Sequence, residues 1–149
     1  MKVRPLHDRL IIRRIEDGIL NYGIDMTLDN NPYEVGLERL VNLDKKADFI
    51  GREALRRIAQ DGVKRKLVGV EIGGTPMDMN MTRYPVKSGG FVTSCVHSPR
   101  LAKNIGYAMV PVEYSTAGTR LEVQAPDGAR SAVVVPMPFI DPKKAIAKS

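Results

Sequence analysis

Lys66-Leu67-Val68-Gly69-Val70-Glu71-Ile72 is the stretch whose reading decides the fold. Val68, Val70 and Ile72 recur with period two, and the run stops at Gly73-Gly74-Thr75-Pro76. That is a strand with one buried face, followed by a turn. The same grammar continues toward the C-terminus. Tyr84-Pro85-Val86 leads into the turn Lys87-Ser88-Gly89-Gly90, and Phe91-Val92-Thr93-Ser94 resumes as a strand. Asn104 to Val112 reads as another. Leu121-Glu122-Val123-Gln124 and Ala132-Val133-Val134-Val135 flank Pro126-Asp127-Gly128, a hairpin signal. Short strands with regular turn punctuation predict a small antiparallel barrel or sandwich.

Upstream the pattern is helical. Ala54, Leu55, Ile58 and Ala59 share one face over Arg52 to Gln60, and Gly62 ends the run. Arg52, Arg56 and Arg57 then form a solvated face. Tyr33 to Leu43 is ambiguous between helix and strand, and Asp25 to Pro32 is loop-like. Ile15, Ile19 and Leu20 fall at helical spacing, with Gly23 as the C-cap. Val3 to Ile12 ends in Leu10-Ile11-Ile12 and reads as a strand added to a sheet edge. The expected fold class is α+β, mostly β, with a short N-terminal strand and helices followed by a C-terminal antiparallel β-barrel. The expected divisions are 1–13 for the strand, 14–63 for the segment ending in the helix, 64–142 for the barrel and 143–149 for a basic tail.

Composition narrows the function classes. The chain has 149 residues, 43% of them hydrophobic, and a formal net charge of +6. It can bury a core, and it holds no long uncharged apolar run to span a membrane. The opening residues lack the apolar segment of a secretory signal, and Cys95 is the one cysteine, so the expected compartment is the cytoplasm. Much of the positive charge sits at the front, where Lys2, Arg4, Arg9, Arg13 and Arg14 face Asp8 alone through residue 14. Aromatics are only 5%, too few for a stacking platform, so no nucleic-acid partner is expected.

Individual residues carry little chemistry by type alone. Cys95 and His97 share a strand face, but no second cysteine and no neighbouring histidine completes a metal site or a nucleophile pair. They read as a half-buried thiol beside a surface imidazole. Gly73-Gly74 and Gly89-Gly90 match no phosphate-binding pattern and read as hairpin turns. Met77, Met79 and Met81 read as a loop folded over the core. Arg14 can hold a carboxylate from near a helix start, or simply pair with Glu16 at the surface. No catalytic residue and no metal ligand is assigned.

Arg14-Ile15-Glu16-Asp17-Gly18-Ile19-Leu20-Asn21-Tyr22-Gly23-Ile24-Asp25 is similar to an R-x-E-x-G-x-x-x-Y-G-x-D signature. Asn31-Pro32-Tyr33-Glu34-Val35-Gly36-Leu37, then Asp48-Phe49-Ile50-Gly51-Arg52-Glu53-Ala54-Leu55, follow in order. Gly90-Phe91-Val92-Thr93-Ser94 with Ser98-Pro99, and finally Pro138-Phe139, complete the series. Together they resemble the aminomethyltransferase family, the T-protein of the glycine cleavage system and related tetrahydrofolate-dependent demethylases. The resemblance implies that residues 14–62 end a folate-binding region and its linker. It implies tetrahydrofolate as the cofactor, with Arg14 and Tyr22 as substrate- or folate-binding residues. Family members are more than twice as long, and their catalytic aspartate lies in the front half. The resemblance therefore implies a C-terminal portion of such an enzyme, inactive alone, with an N-terminal half polypeptide or further copies of itself as partners. The alternative is a non-catalytic β-barrel interaction or assembly module. Asp29 to Glu34 with Val41-Asn42-Leu43-Asp44 is similar to the family's sulfonium demethylases. Residues 1–14, MKVRPLHDRLIIRR, resemble the opening strand of the small bacterial co-chaperonin.

Overall fold

The computed structural model describes residues 5–141, with side chains from Arg9 onward. Its elements run α1 (Pro5–Glu16), α2 (Arg52–Asp61), β1 (Arg65–Ile72), β2 (Tyr84–Pro85), β3 (Phe91–Ser98), β4 (Lys103–Pro111), β5 (Arg120–Ala125) and β6 (Gly128–Val135). Short 3-10 turns occupy Glu38–Leu40 and Val112–Tyr114. The fold is α+β and mostly β, as the alternation predicts.

The six strands form one antiparallel sheet in the order β2-β3-β4-β1-β6-β5. The sheet curls until its edges meet, where Val86 bridges Val123 and the Lys87 amide donates to the Glu122 carbonyl at 2.9 Å. The result is a nearly closed barrel with little exposed strand edge. The segment before β2 lengthens it: Asn80 pairs with Cys95, and the His97 amide donates to the Met77 carbonyl. The methionine segment is thus a strand-like edge along β3. Met77 packs on the interior, Met79 on the outer side, and Met81 is exposed.

Alternation sorts the strands into two apolar layers. Val68, Val70, Ile72, Val92, Cys95, Ala108, Val110, Val123 and Val134 fill the barrel interior. Each buried branched side chain there contributes about 1.5–3 kcal/mol. Leu67, Val96, Ile105, Tyr107 and Met109 face the other way, against Ile15, Val35, Leu20, Met26, Met137 and Phe139. That outer layer holds the front of the chain on the barrel. The Pro126-Asp127 turn joins β5 and β6 as expected, with Ala125 paired to Gly128. Gly73-Gly74 makes no hairpin, because β1 is flanked by β4 and β6. It carries the chain across the barrel end beneath Arg130, which donates to the Gly73 and Thr75 carbonyls.

The front differs from the sequence reading. Residues from Pro5 to Glu16 form a helix, where a strand over 1–13 was expected. Residues 1–4 lie outside the described residues, as does the basic tail. A short apolar run such as Leu10-Ile11-Ile12 fits either state until something packs on it. Here Ile12 and Ile15 pack on the barrel's outer layer while Leu10 stays exposed, which is helical and not alternating spacing. Pro5 suits a first helical turn, where no amide hydrogen is needed. The helix also ends earlier than Gly23. The Gly18 amide donates to the Ile15 carbonyl and the Ile19 amide to the Arg14 carbonyl, with Gly18 at φ 73°. That is a Schellman cap, which only the left-handed backbone of a residue such as Gly18 completes readily.

Candidate functional site

Arg14 lies in the last turn of α1, not near a helix start. The Schellman turn sends the chain back past it, and Asp25 returns beside it. Arg14 Nη1 donates to Asp25 Oδ2 at 2.8 Å and to the Ile19 carbonyl at 2.9 Å. The grip is through one nitrogen, and Glu16 takes no part in it. Glu16 is buried and accepts from Ser98 Oγ at 2.5 Å, while its carbonyl accepts from the Phe139 and Ile140 amides. The surface Arg14–Glu16 pair is therefore replaced by two separate contacts, one part-buried through Arg14 and one buried through Glu16.

Asp25 is the centre of the arrangement. Its side chain is fully buried, yet both oxygens are satisfied. Oδ2 accepts from Arg14 Nη1 and from the Asn21 amide at 2.9 Å; Oδ1 accepts from Thr93 Oγ1 at 2.7 Å and Ser94 Oγ at 2.6 Å. Consecutive strand residues normally point to opposite faces. They converge here because β3 is bulged. Val92 pairs with Ala108 and Ser94 with Tyr107, so Thr93 is the extra residue. A bulge re-aims side chains in this way. It also accounts for Val92 and Cys95, three apart, both lying in the interior.

Tyr107 closes the site from the barrel side. Its hydroxyl lies 3.1 Å from the Ile15 carbonyl and 3.3 Å from that of Ile19, at the C-terminal end of α1. Burial is the main reason its phenol is held well above the usual range, with the Arg14 charge opposing. Arg14 Nη2 is buried and has no acceptor among the described residues. Beside Asp25 and Thr93 lies a small cleft of about 100 Å³, lined also by Asn30, Arg65, Arg83 and Phe91. Arg83 stands over the Phe91 ring at 4.2 Å, and Arg65 pairs with Glu34.

Tyr22 is placed differently from Arg14. Its backbone bridges Met26, but the residue is 60% exposed and its side chain makes no hydrogen bond among the described residues. Cys95 is fully buried in the barrel, not half-buried, and burial pushes its thiol up to about 12. His97 Nδ1 sits 3.1 Å from Asn104 Oδ1. The larger cleft, about 430 Å³, includes His97 and the Lys103–Glu71 ion pair but none of the motif residues. Among the described residues no cluster of three metal-ligating side chains occurs, and no helix is long and apolar enough to cross a membrane.

Residues 65–141 match the family described as the glycine cleavage T-protein C-terminal barrel domain. The chain belongs to the aminomethyltransferase family. It is 41% identical over 130 residues to an aminomethyltransferase of Synechococcus sp. (strain CC9902), a match covering 85% of this chain and 35% of that protein. It is 44% identical over 132 residues to an aminomethyltransferase of Symbiobacterium thermophilum, covering 85% and 34%. The solved glycine cleavage system aminomethyltransferase T from Bartonella henselae is similar with a TM-score of 0.75 and 26% identity, over 87% of this chain and 37% of that one. The chain thus spans about a third of the length of the curated relatives it matches.

Asp25, Thr93 and Ser94 are the residues that sequence reasoning missed. Each stands in a quoted motif, but 68 and 69 residues separate the carboxylate from its hydroxyl donors. Only the bulge brings them together.

Proposed function

We propose that this chain serves as the C-terminal portion of a tetrahydrofolate-dependent aminomethyl- or methyltransferase. Its transfer chemistry requires the polypeptide that precedes the matched stretch in its relatives. The observation that carries the reading is the barrel-family match over residues 65–141, extended by relatives about 40% identical over 85% of the chain.

Tetrahydrofolate, when bound, supplies the nitrogen that accepts the one-carbon unit. The chain's own residues suit an anionic or carbonyl-bearing ligand at one point. Arg14 has a spare donor, Nη2, while Asp25 fixes the guanidinium through Nη1. A partly buried cation already held by a carboxylate orients a further acceptor without losing side-chain freedom again. Tyr22, exposed in the same motif, would line the ligand's path. The carboxylate that acts on the reacting centre would come from the preceding polypeptide, because no residue here is assigned that role. The donor is either an aminomethyl-lipoyl protein or an N-, O- or S-methyl compound, and Asp29 to Glu34 with Val41 to Asp44 also resembles the sulfonium demethylases. The assembly would work in the cytoplasm.

One observation favours the second reading, a non-catalytic barrel module. Arg14 Nη1 is wholly committed within the chain, so the motif also serves as a latch between α1 and β3. The test is a transfer assay on this chain co-purified with the preceding portion of an aminomethyltransferase, with each donor class and tetrahydrofolate. Methylated or methylene-bearing folate formed with one donor class supports the enzyme reading. A stable assembly inert to every class supports the module.

A further inference from the structure

The strand register brings Lys103, Glu71, Val133 and Arg120 into a row on the barrel's outer face. Glu71 of β1 and Arg120 of β5 both stand opposite Val133 of β6, and residues directly opposite share a face. Lys103 of β4 lies two residues before Ile105, which packs in the outer layer, so it joins the row beside Glu71. Lys103 Nζ donates to both Glu71 oxygens, at 2.9 and 2.8 Å. Arg120, exposed on the far side of Val133, has no acceptor and no ion-pair partner among the described residues. Two cations thus stand beside one carboxylate that is already taken. All of them border the cleft of about 430 Å³, where Val133 adds an apolar group. The walls are fixed. Asn104 Nδ2 donates to the Ile72 and Thr75 carbonyls and its Oδ1 accepts from the Met77 amide, so the amide group cannot turn over. His97 Nδ1 must then be the donor to Asn104 Oδ1, which holds the imidazole as one wall. The Gly73-Gly74 crossing is another. Arg130 grips the Gly73 and Thr75 carbonyls, and the Gly73 amide donates to the Ser131 carbonyl. The Gly74 amide is left without an acceptor among the described residues.

We propose that this cleft binds a small oxyanion-bearing molecule, a carboxylate or a phosphate monoester with a short apolar body. Its anionic group sits on the Arg120 guanidinium and its body against Val133. The charge balance sets the sign of the ligand. Lys103 and Glu71 largely cancel, so the unpaired Arg120 charge is the one left to attract an anion. A guanidinium presents a planar fork of N–H groups that matches either oxyanion through two bonds. The Lys103 ammonium and the free Gly74 amide offer further donors in the same cleft and no further carboxylate lines it. The volume sets the size. Sites for small molecules begin at about 300 Å³, far more than a bare ion fills. Neither Arg14 nor Tyr22 lines the cleft, so binding here stands or falls apart from the proposed function.

The probes are butyrate, monobutyl phosphate and, as a cationic control, butylammonium. Each is titrated at low ionic strength into the isotopically labelled full chain and followed by amide NMR. Gly74, Ala102, Ser131 and Val133 report the site, because all of them line the cleft. The expected result is saturable shifts confined to those residues with butyrate or monobutyl phosphate, and none with butylammonium. The anion that binds more tightly tells carboxylate from phosphate. Arg120→Gln should weaken that binding about tenfold, the scale of one charge-assisted hydrogen bond. Arg120→Lys, which keeps the charge but not the fork, should fall between. Arg120 is exposed, so neither change disturbs the core, and the melting temperature checks each variant. Lys87→Gln removes an exposed cation outside the cleft and should leave binding as it is. Three results overturn the proposal. One is no saturable shift with either anion up to about 50 mM, well above a Kd of about 1 mM. The others are equal binding by Arg120→Gln, and equal shifts with butylammonium.

Discussion

Asp25 accepts four hydrogen bonds through two oxygens while fully buried, and that completeness is what makes it tolerable. Removing the carboxylate leaves Arg14 with less charge compensation and two hydroxyls without their acceptor. Asp25→Ala is expected to lower stability by about 3–5 kcal/mol, read from urea denaturation. Adding Arg14→Met to it should recover part of that loss, because no cation is then left without its carboxylate. A second prediction concerns Cys95. Its thiol is raised by burial from 9.0 to about 12. Unfolded chains release this proton near 9 and folded ones near 12, so its contribution to stability is intact below pH 9. It is lost as pH climbs from 9 toward 12. The urea midpoint should fall across that interval, less steeply in Cys95→Ala. Maleimide should label Cys95 only after unfolding, and labelling of the native protein at pH 8 would contradict its placement.

At the scale of elements, the bulge in β3 and the glycine facing it act together. A Cβ on Gly106 would lie 2.3 Å from the Ser94 carbonyl oxygen, which is backbone and cannot turn aside. A Cβ on Gly73 would meet the Ser131 hydroxyl at 2.9 Å, and a hydroxyl can rotate. Gly106→Ala should therefore cost about 1–3 kcal/mol or more, and Gly73→Ala less than that. Thermal melts of the two variants compare them directly, and equal melting temperatures would place the bulge elsewhere. The strands from Lys66 to Val135 were legible because interior and exterior residues alternate and Gly or Pro marks their ends. The first helix was not. Leu10-Ile11-Ile12 has no period of its own, and its state is set by Ile15 and the barrel surface it meets. The site was half legible. Arg14 stands out by motif, but its partner could not be read, since one inserted residue at Thr93 turns two hydroxyls toward a carboxylate far away in sequence.

The whole molecule is a finished barrel with an unfinished segment in front of it. The barrel has two filled apolar layers, and α1 is locked to it through Asp25, Glu16 and Tyr107. Residues 38–62 have no such anchorage, which suits a chain spanning about a third of its relatives' length. Replacing Cys95 or His97 should leave transfer by the assembled protein nearly intact, as Cys95 is packed in the barrel interior and His97 pairs with Asn104 in a cleft that holds none of the motif residues. Arg14 is where the enzyme reading is most exposed. The most direct measurement is calorimetric titration of tetrahydrofolate into this chain co-purified with the preceding portion of an aminomethyltransferase, for wild type and Arg14→Ala. The expected result is saturable binding by the wild type, weakened in the variant by about 1.5–3 kcal/mol, the scale of a charge-assisted hydrogen bond. An assembled complex that binds no folate, or binds it equally well without the Arg14 guanidinium, would contradict the proposed site.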